Sequence, residues 1–191
     1  MHLTVISYCS VLDVGFEHVA LVVDARRDLG RRAFARCQRP SQLLNAVAPF
    51  GRTIRTLDLH GHGAPGRMTL GDDLLVDTRP ATWKVMAELD PFLAPDASIR
   101  LLACLTAAGE PGFRLLHGLS KALRGRAVFG SIADLSHHDF GPSGFRRDVA
   151  ARWLVSSRSL RSPVAERRRT GPADYDFGWT GAPRHQPVIG S

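Results

Sequence analysis

Lysine occurs at only two positions in the 191 residues, Lys84 and Lys121, and asparagine at one, Asn45. The formal charge of +7 therefore comes almost wholly from arginine. Arginine is favoured for phosphate and carboxylate recognition, which raises nucleic acid as a partner. The basic residues are dispersed, however, and no motif interleaves them with aromatics. Arginine in place of lysine, with asparagine scarce, is also the signature of a GC-rich genome. The one dense run, Glu166-Arg167-Arg168-Arg169, reads as a solvated segment. Nucleic acid is not expected as a partner.

Cysteine is also scarce. Cys9, Cys37 and Cys104 are an odd number and too few to staple a chain of this length. No CxxC pair exists, so nothing supports a zinc ribbon or finger. No apolar run approaches the ~20 residues that cross a bilayer, so no membrane is expected. The opening residues, MHLTVISYCSVLDVGF, carry neither a basic stretch nor a small-residue cleavage site. The expected compartment is the cytoplasm, with all three thiols reduced.

What is present is ordinary globular material. A hydrophobic content of 44% buries a real core, and the length suits one domain with an appendage. HLTVISYC (2–9) and HVALVVD (18–24) are β-branched and apolar and read as strands, while 25–40 is basic and poorly patterned. Only about nine residues separate the two strands, which suits a hairpin or one cramped helical turn better than a crossover helix. Ser41 opens a helix with the stripe Leu43, Leu44, Val47 and Ala48. A strand follows over 53–60, then a small hairpin in GRMTLGDDLLVD turning at Gly-Asp-Asp. A helix over about 80–93 carries Trp83, Met86, Leu89 and Leu93 on one face.

SIRLLAC (98–104) is continuously apolar, as in a strand buried on both faces. A helix over about 110–124 has Pro111 in its first turn and Phe113, Leu116, Leu119 and Leu123 on one side. RAVFGSIA (126–133) is the next strand, and 134–144 is loop. FRRDVAARWLVSS places Phe145, Val149, Ala150, Trp153 and Leu154 on one helical face, although RWLVSS alone suits a strand. No internal repeat occurs. From about 158 the composition turns to Ser, Pro, Arg and Gly, so the expected division is a domain over 1–157 and a flexible tail over 158–191. The alternation predicts an α/β fold: a three-layer α/β/α sandwich around a mostly parallel sheet.

In such sheets ligands bind beyond the carboxyl ends of the strands. Two chemically rich stretches fall there: LDLHGHGAPG, with His60 and His62, and Ala103-Cys104. Two histidines alternating along a strand would share a face and could share a zinc ion. The remaining ligands would then come from Cys104, His137, His138 or an aspartate. No HExxH or comparable spacing demands this, so no metal and no cofactor is expected. A cysteine–histidine pair fits better. A thiol is a capable nucleophile once a histidine manages its protons and backbone N–H groups receive the oxyanion. Glycines flanking His62 allow such close backbone approach. Against this, free cysteine is among the most buried residue types, and most cysteines in apolar strands are core.

At these residues the sequence resembles the caspase-like cysteine peptidases, the fold shared by caspases, gingipains, clostripain, separase and the CHAT-type bacterial proteases. In that family one core strand ends in His-Gly and the next in Cys; here they read LDLHGHG and IRLLAC. The fuller pattern HGAPGRMTLG, LLACLTAAGEPG, AVFGSIADLS looks most like the uncharacterised caspase-like domain near one end of large bacterial surface proteins. The likeness covers about residues 53–135. It implies a hydrolase, a thiol protease acting on a protein or peptide substrate, with self-processing or a single partner protein as target. His62 is the implied general acid/base and Cys104 the nucleophile, with the N–H groups of Gly63 and Cys104 as oxyanion hole. His60 is also followed by glycine, so the choice of base is a preference. Asp134 lies where related bacterial members often place a residue lining the pocket for the side chain preceding the scissile bond; an ordinary turn aspartate is the competing reading. Two alternatives stand beside the peptidase. One is a catalytically inactive caspase-like interaction module with Cys104 in the core. The other is a permuted papain-like fold using His18, disfavoured because Cys104 closes a strand instead of opening a helix. The oligomeric state is left open.

Overall fold

The computed structural model describes residues 1–7, 32–37, 40–70, 73–76, 83–141 and 144–159. A six-stranded sheet forms its centre. In chain order the strands are β1 (His2–Ser7), β2 (Arg32–Cys37), β3 (Ile54–His60), β7 (Leu93–Leu102), β8 (Ala127–Ser131) and β11 (Leu154–Ser156). In space they run β11-β8-β7-β3-β1-β2. All neighbours are parallel except β11, which lies antiparallel to β8. The expected mostly parallel α/β sheet is therefore present.

Alternation along β3 and β7 divides the sheet into unlike faces. Leu57, Leu59, Ile99 and Leu101 enter the main core with Leu3, Val5 and Val128. Helices α1 (Pro40–Val47), α2 (Lys84–Glu88) and α3 (Gly109–Ala122) supply its other half through Leu43, Val47, Met86, Leu115, Leu116 and Leu119. Leu102 turns to the opposite face and joins a smaller cluster with Phe140, Phe145 and Val149. Phe140 and Phe145 come from the short strands β9 (Phe140–Gly141) and β10 (Gly144–Phe145), and Val149 from α4 (Arg147–Trp153). The hairpin β5 (Arg67–Leu70) and β6 (Asp73–Val76), extended by β4 (Gly63–Ala64), forms a separate three-stranded sheet.

Several sequence expectations need correction. The patternless stretch 25–40 contains β2, which is parallel to β1 and last in the sheet among the described residues. The expected strand over 18–24, together with Cys9 and His18, lies outside the described residues. The helix expected to reach residue 93 ends at Glu88, because Asp90-Pro91 closes it in a 3-10 turn. Leu93 instead begins β7, which starts five residues earlier than the apolar run SIRLLAC and ends at Leu102, before Cys104. RWLVSS is divided: α4 runs to Trp153 and β11 begins at Leu154.

Candidate active site

His60 is the last residue of β3 and pairs in register with Leu102, the last residue of β7. Each candidate loop therefore leaves the same edge of the sheet, from neighbouring parallel strands. His60 is buried, its ring meeting Phe140 edge-on at 4.4 Å between centroids. His62 is exposed. The strand ends at His60, so its alternation does not extend to His62. Gly61 N–H still reaches Leu102 O at 3.4 Å, but His62 already belongs to the hairpin. Its N–H donates to Thr69 Oγ1 (2.8 Å), and its carbonyl accepts from Thr69 N–H (2.8 Å) and Thr69 Oγ1 (3.1 Å). Both backbone groups of the histidine are thus fixed by one threonine of β5.

Gly63 carries the chain back over the cysteine turn. A β-carbon on Gly63 would lie 2.5 Å from Cys104 O, 2.8 Å from Ala103 Cβ and 2.9 Å from Thr106 Cγ2. The β4–β5 register places Ala64 opposite Arg67 and Gly63 opposite Met68. A two-residue turn makes Ala64 and Arg67 the bonded pair, so alternation points Gly63 N–H away from β5. The tip of the hairpin rests on α3: a β-carbon on Gly66, whose φ is +70°, would lie 2.5 Å from Pro111 Cβ.

Cys104 is half-buried and free, in the turn between β7 and α3. The reversal uses left-handed backbone at Leu105 (φ 57°), a conformation that disfavours a leucine by about 1–2 kcal/mol. That strain is held by contacts with the end of β8. Leu105 N–H donates to Ala133 O (3.1 Å) and Ala107 N–H to Ser131 O (2.8 Å). Ser131 N–H donates to the hydroxyl of the buried Thr106 (3.0 Å). The sulfur of Cys104 accepts from Leu135 N–H (3.3 Å) and faces Leu135 O at 3.6 Å.

Those backbone bonds pair 107 with 131 and 105 with 133, and Asp134 directly precedes Leu135, whose backbone meets the Cys104 sulfur. Asp134 is exposed. Sequence reasoning missed Thr69, Thr106, Ser131 and Leu135. Leu135 acts through its backbone and has no sequence signal; Thr106, a polar residue inside the apolar stretch ending β7, was a readable one. Cys37 is fully buried at the end of β2. Among the described residues no three His, Cys, Asp or Glu side chains gather as metal ligands do. The zinc reading of His60 and His62 therefore finds no third ligand there.

Residues 21–141 match the family described as "Domain of unknown function (DUF4347)". That span exceeds half of the chain. The chain belongs to the DUF4347 family. No curated protein matches it. The DUF4347 span encloses His60, His62, Gly63, Cys104 and Asp134, and ends at Gly141. The elements α4 and β11 lie beyond it, so the shared DUF4347 pattern coincides with the part of the chain that builds this edge. Among the described residues of this DUF4347 chain, no helix is long and apolar enough to cross a membrane.

Proposed function

We propose that the chain is a cysteine endopeptidase with a caspase-like, three-layer α/β/α architecture, acting on a protein or peptide and possessing a His62/Cys104 dyad. The observation that carries this reading is the contact of Gly63 with the cysteine turn beyond the paired ends of β3 and β7. It gives a histidine loop and a half-exposed thiol a common edge, where open α/β sheets bind ligands. In the proposed reaction His62 takes the thiol proton and Cys104 Sγ attacks the scissile carbonyl carbon. The N–H groups of Gly63 and Cys104 receive the oxyanion. The C–N bond then breaks, His62 returns the proton to the leaving amine, and water hydrolyses the thioester. Asp134, exposed and directly before Leu135, would favour a basic side chain before the scissile bond. His60, packed on Phe140, supports the loop from beneath. The half-buried thiol of Cys104 suits a reducing compartment, and the cytoplasm is part of the proposal. Self-processing and cleavage of one partner protein are both compatible with this chemistry.

The inactive interaction module is favoured by one observation, the engagement of the sulfur by both backbone groups of Leu135. An iodoacetamide probe and arginine-containing reporter peptides separate the two. In an active peptidase Cys104 is alkylated well ahead of Cys37, and His62→Ala lowers peptide turnover by about 10²- to 10⁴-fold. Equal alkylation of the two thiols in the folded protein, with no peptide cleaved, supports the module instead.

A further inference from the structure

We infer that Thr106 is a positioning residue: its hydroxyl fixes the Cys104 turn to β8, while its methyl group only packs against the His62–Gly63 loop. The hydroxyl accepts from Ser131 N–H at 3.0 Å and donates to Ala103 O at 3.4 Å, the carbonyl immediately before Cys104. The side chain is fully buried. Its Cγ2 faces Gly63, 2.9 Å from where a β-carbon would stand, and its Oγ1 lies 2.8 Å from the equivalent point on Gly130. Both neighbours are therefore residues without a side chain, and the threonine fills the space between them. One side chain thus touches the histidine loop, the cysteine turn and the strand beside them. Threonine is suited to this because it places a hydrogen-bonding atom and a methyl group on a single stiff β-carbon. Valine keeps the shape and loses the bonds; serine keeps the bonds and loses the methyl group.

The consequence for turnover rests on the peptidase reading; the consequence for the thiol does not. Freed from Thr106, the turn relaxes its hold on Leu135, whose backbone shields the sulfur, and the distance from His62 to Cys104 is no longer fixed. The test compares the parent chain with Thr106→Val and Thr106→Ser, each verified as folded at the assay temperature by circular dichroism. Peptide hydrolysis by Thr106→Val should fall about tenfold in kcat with KM within about twofold, and Thr106→Ser should stay within about threefold of the parent kcat, as expected of misplacement without lost binding. A Thr106→Val protein with parental kcat, or a Thr106→Ser protein as impaired as the valine variant, overturns the role assigned to the hydroxyl. If the parent hydrolyses no peptide, the peptidase reading fails, and Cys104 alkylation alone decides on Thr106. Alkylation should then be at least about threefold faster in Thr106→Val than in the parent, because shielding controls access to a thiol, and unchanged in Thr106→Ser. Equal rates in all three proteins overturn the inference.

Discussion

At Gly63 the missing side chain lets the histidine loop lie on the cysteine turn. Two of the three atoms that a β-carbon would meet, Cys104 O at 2.5 Å and Ala103 Cβ at 2.8 Å, cannot rotate away. Gly63→Ala must therefore lift the loop and carry His62 with it. A displacement near 1 Å lowers turnover about a hundredfold, and the overpacking costs about 1–3 kcal/mol of stability. Urea denaturation beside peptide hydrolysis checks both, and parental turnover in a folded Gly63→Ala protein would show that the close approach is not required. The importance of glycine beside His62 was legible in the sequence, because a histidine between glycines has few purely structural uses. The unlike burial of the two histidines was not. Strand periodicity assumes a strand, and β3 ends at His60, where Thr69 of the next hairpin takes over the backbone of His62. Leu135 was invisible for a different reason: it holds the sulfur with peptide groups that every residue possesses.

Elements with strong periodicity were read well. The strand β3, the β5–β6 hairpin and the helix α3 stand close to their expected positions because each has an uninterrupted pattern and a turn signal at its end. The departures occur where chain-distant partners decide the boundary, and the start of β7 is the clearest. Leu93 and Ala94 precede the apolar run, yet they are fixed by a residue more than thirty positions away. Arg126, buried between α3 and β8, donates to Leu93 O (3.3 Å), Ala94 O (3.2 Å) and Leu123 O (3.2 Å). It also pairs with the carboxylate of Asp90, which the exposed Arg124 reaches at 3.3 Å. This clamp ties the start of β7 to the start of β8 at the end of the sheet opposite the candidate site. Asp90→Ala leaves the guanidinium of Arg126 buried without its counter-charge, and such a loss costs about 3–5 kcal/mol. Glu88→Gln, which breaks the exposed pair with Lys84 (3.8 Å), should cost no more than about 0.5 kcal/mol. Thermal denaturation of the two variants side by side makes the comparison, and equal losses would show that the clamp does not hold the strand starts.

Across the whole molecule the two faces of the sheet are held by different forces. One face is apolar and packed by three helices; the other carries a buried charge at its centre. Asp58 of β3 is 1% exposed. It accepts two bonds from Arg100 of β7, Nε to Oδ1 at 2.6 Å and Nη2 to Oδ2 at 2.5 Å, and lies 3.0 Å from His2 Nε2 of β1. Three adjacent parallel strands are thus joined through one carboxylate. Burial alone pushes that carboxyl up, but the hydrogen bonds from His2 and Arg100, reinforced by their charges, outweigh it, so it stays ionised below the ordinary value of 3.8. A carboxyl whose pKa is lower in the folded than in the unfolded chain binds fewer protons when folded. Its contribution to stability is complete above the unfolded value and disappears as pH falls through the folded one. Asp58→Asn, which keeps the shape but leaves Arg100 half-buried without a counter-charge, should therefore be less stable than the parent by about 3–5 kcal/mol at pH 7. That difference should persist down to about pH 5 and narrow below about pH 4, first as Asp58 of the unfolded chain takes up a proton and then, at lower pH, as the folded carboxylate does. Urea midpoints for both proteins at pH 7, 5, 4 and 3 measure it. Two curves that stay parallel down to pH 3 would mean that the charge on Asp58 contributes nothing and that its side chain acts through shape alone.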